Sequence, residues 1–286
     1  MQVRPPSLKE VAFTVGEDGT FPSPEVFEAM PSLERVCCTI AYHEDNASLV
    51  RSVLPALRGG VAFQCLREFR LDYHRIEDAD LAALLDALSE AACAPHLECL
   101  KLQECNIGGQ GIGKLAEHLA QDKFPALKHL NVGKCVTIAD TGIAALCDGL
   151  LCAPRTRLVS LDLSYTQMDH VGMAKLGAVI QAGRLTLLET LHLSRNVNLT
   201  DKAVFVLAEA IQQAKNALSH LRTLMMDRLE AVTGVGVEVL LTTVFHNCPQ
   251  IELIDMSLPI FRGERADNAS LQALVSTLGW KGKVKL

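Results

Sequence analysis

Aliphatic positions along this chain follow two alternating rhythms. The first is L-x-x-L-x-[LV]-x-x-[CTN]. It appears in HLECLKLQECNI (96–107), ALKHLNVGKCVTI (126–138), RLVSLDLSYTQM (157–168) and LLETLHLSRNVNL (187–199). Side chains alternate faces along a strand, so this spacing predicts a short strand with its leucines on one buried face. The second rhythm follows each copy. Ile112, Leu115, Ala116 and Leu119 lie at i, i+3, i+4 and i+7, the apolar stripe of a helix. The same stripe recurs at Leu81/Leu84/Leu85/Leu88, Ile143/Leu146/Cys147/Leu150, Met173/Leu176/Gly177/Ile180, Val204/Leu207/Ala208/Ile211, Val237/Leu240/Leu241/Val244 and Leu271/Leu274/Val275/Leu278. Weaker strand copies start at Leu8, Leu33 and Leu66 upstream and at Leu221 and Ile251 downstream. The chain therefore reads as nine strand–helix units, mostly 30 to 33 residues apart.

Local signals fit these units. Asp140-Thr141 and Thr200-Asp201 stand at helix starts as expected caps. A glycine recurs one turn in, at Gly111, Gly142, Gly172 and Gly236. Pro55 falls inside the first full helix and is expected to kink or shorten it.

One stretch invites a different reading. GGQGIGKL (108–115) is one residue away from the phosphate-binding loop G-x-x-x-x-G-K-[ST]. The departure is Leu115, where a hydroxyl would hold magnesium. Leu115 is the repeat equivalent of Leu84, Leu146, Leu176, Leu207, Leu240 and Leu274. The expectation is a buried helix residue and no nucleotide site.

Composition narrows the function. Of 286 residues, 49% are apolar, 21% charged and only 5% aromatic, so the core is aliphatic. The net charge of −6 argues against a general nucleic-acid binder. No apolar run is long enough to span a bilayer, and residues at the start form no continuous apolar stretch. Ten cysteines show no C-x-x-C pair and no zinc-ligand spacing, which suits reduced thiols in an intracellular setting.

The repeat resembles the leucine-rich repeat superfamily, and its length and helix pattern resemble the ribonuclease-inhibitor-like class. The resemblance implies an α/β solenoid, a horseshoe with a parallel concave sheet and outer helices. It implies one domain over 1–286, with 1–32 as an N-terminal capping unit, 33–250 as core repeats and 251–286 as the last repeat and C-terminal cap. Cys105, Cys135, Thr166 and Asn196 stand where the family places a small polar residue that bonds backbone after the strand turns. Leu229 and Pro259 depart from that pattern and suggest a looser turn. Trp280 is expected to cover the end of the core, and the tail KGKVKL reads as a solvated end.

With the leucines inward, the intervening positions face the concave side, and stacking builds lanes. The fifth-position lane includes Arg70, Lys101, Asn131, Asp162, His192, Met225 and Asp255. The seventh includes Ser164, Ser194 and Asp227. The eighth includes Tyr73, Glu104, Lys134, Tyr165, Arg195 and Arg228. Tyrosine and arginine are frequent interface anchors. The candidate protein-binding residues are Tyr73, Lys101, Lys134, Asp162, Tyr165, His192, Arg195, Met225 and Arg228. Asp162, His192, Ser164 and Ser194 also suggest a Ser-His-Asp set, but an open sheet supplies no oxyanion hole.

The resulting expectation is a non-enzymatic scaffold or adaptor that binds protein. It needs no cofactor, metal, nucleic acid, membrane or small-molecule substrate. It belongs to a larger intracellular assembly, cytoplasmic and conceivably cytoskeletal or ciliary. The alternative is a regulator of an enzyme, as a GTPase activator or a nuclease inhibitor.

Overall fold

The computed structural model describes residues 9–15, 26, 32–40, 47–59, 63–72, 76–214, 216–257, 268–280 and 282–286. Ten parallel strands form one sheet in strict sequence order. They are β1 (Glu10–Val15), β2 (Arg35–Ile40), β3 (Glu68–Asp72), β4 (Cys99–Lys101), β5 (His129–Asn131), β6 (Ser160–Asp162), β7 (Thr190–His192), β8 (Thr223–Met225), β9 (Leu253–Asp255) and β10 (Val284–Lys285). Between them run α1 (Ala47–Arg58), α2 (Asp78–Glu90), α3 (Gly109–Ala120), α4 (Ala139–Cys152), α5 (His170–Gln181), α6 (Asp201–Gln213), α7 (Gly234–Asn247) and α8 (Asn268–Thr277).

Each of these short strands is stable only through its neighbours, because its leucine face needs the helix behind it and the units on either side. The inward positions are all sealed: Leu97, Leu100 and Leu102 in one unit, Leu158, Leu161 and Leu163 in another, with Leu115 fully buried between them. One continuous aliphatic cluster runs from Leu33 to Trp280. Trp280 packs edge-on against Phe245, with ring centroids 5.3 Å apart, at the end of that cluster.

Three expectations change. The tail is solvated, with Lys283 and Lys285 exposed, but it is also a strand: β10 pairs with β9, and Lys285 reaches Asp255 at 3.3 Å. Helix α1 runs twelve residues, the same length as α3 and α5, despite Pro55. The proline gives up its own N–H bond and the helix is not shortened, ending three residues later at Arg58. The turn at Leu229 is regular, since Arg228 keeps the left-handed φ of its equivalents and donates its N–H to Ser257 O at 2.8 Å. The copy that starts at Leu8 supplies β1, paired with β2, while Leu8 itself and most of the 1–32 capping unit lie outside the described residues, as does Pro259.

The polar residue after each strand performs the bonding that the resemblance implied. Asn196 Oδ1 accepts from the N–H groups of Thr166 and Met168, and its amide donates to Leu163 O and Leu193 O at 2.8 and 3.0 Å. Cys105 and Cys135 do the same with thiols, donating to Leu71 O and Leu102 O at 3.0 Å. Backbone groups released as the chain leaves the strand are thus satisfied inside a dry core.

Candidate functional site

The glycines of GGQGIGKL serve a neighbouring side chain. Asp78 Oδ1, at the start of α2, accepts the N–H of Gly108 at 2.5 Å. A Cβ on Gly111 would stand 2.7 Å from the same oxygen. A carboxylate from the preceding repeat therefore occupies the cradle where a phosphate would sit. The device repeats in alternate units. Asp140 accepts from Asp169 N and Gly172 N, and Asp201 accepts from Thr233 N and from the Thr233 hydroxyl. Asp140 and Asp201 thus cap the next helix rather than their own. Self-capping falls to Asp169 and Thr233, which accept from Val171 N and Val235 N. Each such bond fixes one repeat onto the next and places a negative charge at a helix N-terminus.

On the opposite side lies the open face of the sheet. Strand register confirms the fifth-position lane in order: Arg70, Lys101, Asn131, Asp162, His192, Met225, Asp255, and finally Lys285. Asp162, His192 and Met225 therefore lie side by side, with Lys101 across Asn131 from them. Tyr73 lies outside the described residues.

Lys134, Tyr165, Arg195 and Arg228 are placed differently. From β4 onward the strands end at the fifth position, so these residues stand beyond the strand on the rim. Each has a left-handed backbone, with φ of 61, 52, 61 and 57°. Pairing nevertheless continues to them: the N–H groups of Lys134, Tyr165, Arg195 and Arg228 donate to Ser164, Ser194, Asp227 and Ser257 carbonyls at 2.7 to 2.9 Å. The nine candidates thus separate into a strand-face set and a rim set, with Tyr73 unplaced.

Sequence reasoning passed over two further lanes. Strict alternation also turns the third position toward the open face: Glu68, the buried Cys99, His129, Ser160, Thr190 and Thr223. With the fifth lane it lines a shallow depression of ≈ 330 Å³ between Glu68 and His192. Its walls mix hydroxyl, imidazole, amide and charged groups with Cys99 and Leu130, and it is shallow and open rather than an enclosed apolar pocket. The second position carries alternating charge along the other rim. Lys9 meets Glu34 at 3.0 Å, Arg67 and Lys128 both meet Glu98 at 2.6 and 2.8 Å, and Arg222 meets Glu252 at 2.6 Å. Hydrogen bonding from Lys128, then from Arg67, outweighs burial and holds the Glu98 carboxyl below its ordinary value. The unit-length spacing of these opposite charges was the signal available in the sequence.

The Ser-His-Asp arrangement does not form. Ser164 Oγ donates to Asp162 Oδ1 at 2.6 Å, and Ser164 N donates to the same atom at 2.9 Å. His192 Nδ1 is 3.7 Å from the other oxygen. The aspartate therefore lies between serine and histidine, so no imidazole is in place to activate the hydroxyl. Asp255 and Ser257 repeat the same pair of bonds, at 2.5 and 3.1 Å, and Asn131 accepts from Gly133 N at 2.8 Å. This is a side-chain turn that closes the strand end in several units. Burial raises Asp255, but the Ser257 hydroxyl and N–H together with Lys285 leave its carboxyl below the ordinary value.

Cysteine chemistry is subdued. Burial pushes the Cys93 thiol up to about 11 and those of Cys99, Cys147 and Cys248 up to about 12. Thiols this far from ionising are poor nucleophiles and ligands. Among the described residues no cluster of three metal-binding side chains forms, and no helix is long and apolar enough to cross a membrane.

Comparison with known proteins agrees with this geometry. A family model described as Leucine Rich repeat matches residues 93–116, 125–147 and 184–208. A mouse relative, NACHT, LRR and PYD domains-containing protein 4C, is 30% identical over 164 residues. That match covers 57% of this chain and only 16% of the relative's length. Among solved structures, one from the yeast Rad7 and Elc1 complex superposes with a TM-score of 0.51 at 16% identity. It covers 90% of this chain and 71% of that one. The chain carries leucine-rich repeats, and its sheet and helices have the fold of a leucine-rich-repeat solenoid.

Proposed function

We propose that this chain is a non-enzymatic protein-binding scaffold, a subunit of a larger assembly, whose working surface is the open face of the sheet and its C-terminal rim. The observation that carries the reading is the in-register lane Lys101–Asn131–Asp162–His192–Met225–Asp255. It lies on the sheet face that no helix among the described residues covers. Ten strands at about 4.8 Å spacing make a surface about 40 Å wide, suited to a folded domain or a helix. Its mixed charges favour a protein over a phosphate backbone. Support comes from the fold neighbour solved within the Rad7 and Elc1 complex. The described cysteines, all free, suit a reduced, intracellular setting. The ribonuclease-inhibitor-like subclass belongs to this reading, supported by six consecutive full helices from α2 to α7. So does the single-domain organisation, supported by one sheet and one core.

The test is affinity capture from native extract with the full chain and with Lys101→Glu, His192→Glu, Met225→Glu combined, after circular dichroism shows that the variant folds. Loss of a partner in the variant supports the reading. A partner that also survives disruption of the rim contradicts it.

A further inference from the structure

The rim at β5 to β7 is chemically unlike the rest of the surface. Position eight holds Lys134, Tyr165 and Arg195 in consecutive units, and position ten holds Val136, Gln167 and Val197. No acid occupies positions seven, eight or ten in these three units, although the chain carries a net charge of −6. Acids appear only at the flanks: Glu104, 3.0 Å from Lys134 on one side, and Asp227 and Glu230 beside Arg228 on the other. Among the described residues Arg195 has no carboxylate partner. Apolar groups stand in the open here: Tyr165 is 42% exposed, Val136 37% and Val197 47%.

One further feature singles out this window. Next to Arg195, Ser194 is buried with a hydroxyl that lacks a hydrogen-bond partner among the described residues. The left-handed backbone of Lys134, Tyr165 and Arg195 is shared with Glu104 and Arg228, and it places all five side chains on the rim.

We infer that Lys134, Tyr165 and Arg195 form a docking site for an acidic amphipathic helix from a partner protein, presenting acid, apolar residue and acid along one face. The inference rests on the scaffold reading above and names the partner's chemistry. The spacing argument is direct. Backbone bonds hold these units in register through position eight, so the three side chains are based about 4.8 and 9.6 Å apart. On a helix, residues i, i+3 or i+4, and i+7 lie on one face at about 4.5–6 and 10.5 Å. On an extended segment, residues of one face recur every 6.6 Å or so and fall out of step. Carboxylates at i and i+7 then reach Lys134 and Arg195, while an apolar side chain at i+3 or i+4 covers Tyr165. Val136 and Val197 flank the contact.

The test is a selection from a displayed peptide library on the full chain, followed by anisotropy measurements with the selected peptides. The variants are Lys134→Glu with Arg195→Glu, and Tyr165→Ala, each checked for wild-type unfolding. The expected result is enrichment of acid–apolar–acid at i, i+3 or i+4, i+7. Binding should be about tenfold weaker to either variant, and lysine-substituted peptides should recover affinity for the charge-reversed chain. Binders without paired acids, binders indifferent to the rim variants, or an empty selection overturn the inference. If those outcomes coincide with partner capture that is lost in the strand-face variant, the scaffold reading stands and only the rim inference falls.

Discussion

Asp78 of one repeat accepts a hydrogen bond from the backbone of Gly108 in the next, at 2.5 Å, and Gly111 leaves room for its carboxylate. The relationship explains why a loop so close to a phosphate cradle is no such site. The donors at the start of α3 serve a negative group supplied by the protein itself. The same arrangement at Asp140–Gly172 and Asp201–Gly236 makes it a stacking device of the solenoid.

Gly111→Ala should therefore destabilise the fold by about 1–3 kcal/mol, because its Cβ meets a carboxylate oxygen that bonds backbone. Asp78→Ala combined with Gly111→Ala should recover part of that loss, since alanine favours the helix by about 1 kcal/mol. A double-mutant cycle by urea unfolding measures the coupling. Additive losses would contradict the lateral cap.

Asn196→Ala should cost about 3 kcal/mol or more. It strips partners from Thr166 N, Met168 N, Leu163 O and Leu193 O in a core that water does not reach. Equilibrium unfolding gives the value directly. A loss within 0.5 kcal/mol or so, the range of surface substitutions, would mean that these groups are satisfied in some other way.

The sequence made most of this architecture legible because both periods, two and 3.6, stay in phase for many units. Leu115 could be placed in the core from its equivalents alone. The glycine at Gly111, Gly142, Gly172 and Gly236 was visible as a recurring feature, but at Gly111, Gly172 and Gly236 its cause includes an aspartate some thirty residues away, and at Gly142 it is the nearby Ile138 side chain. β10 was hidden because Lys283-Val284-Lys285 is short and lysine-rich. Its strand form depends on β9 offering an edge and Asp255 offering a charge. The candidate site was half legible. Lane membership follows from alternation, but the left-handed turn that moves Lys134, Tyr165 and Arg195 onto the rim leaves no mark in a pattern of apolar positions.

Ser164→Ala and Ser257→Ala should behave alike. Each removes one hydroxyl donor to an aspartate that also holds a backbone N–H, at a cost of about 1 kcal/mol. Parallel thermal or urea unfolding of the two variants checks this. A function lost only with Ser164, at unchanged stability, would restore a chemical role for that serine.

Lys128→Met should reduce stability at neutral pH by a few tenths of a kcal/mol, up to about 1, because the Lys128–Glu98 pair is only partly buried and solvent screens it. Glu98 is held below its ordinary value of 4.5 in the folded chain, so its contribution is fully present above that pH and fades as the pH falls through the folded value. The difference between wild type and variant should therefore shrink in acid. Urea titrations at neutral pH and well below 4.5 compare the two, and a difference that grows in acid would reverse the assignment.

The central claim is that protein partners engage the open sheet and its rim. Side-chain footprinting of the full chain, alone and with its captured partner, tests it most directly. Met225, His192 and Tyr165 report the sheet side, and Phe205 and His246 report the helical side. The account predicts that Met225, His192 and Tyr165 lose reactivity in the complex while Phe205 and His246 keep theirs. Protection of Phe205 and His246 with an unchanged sheet side would contradict it.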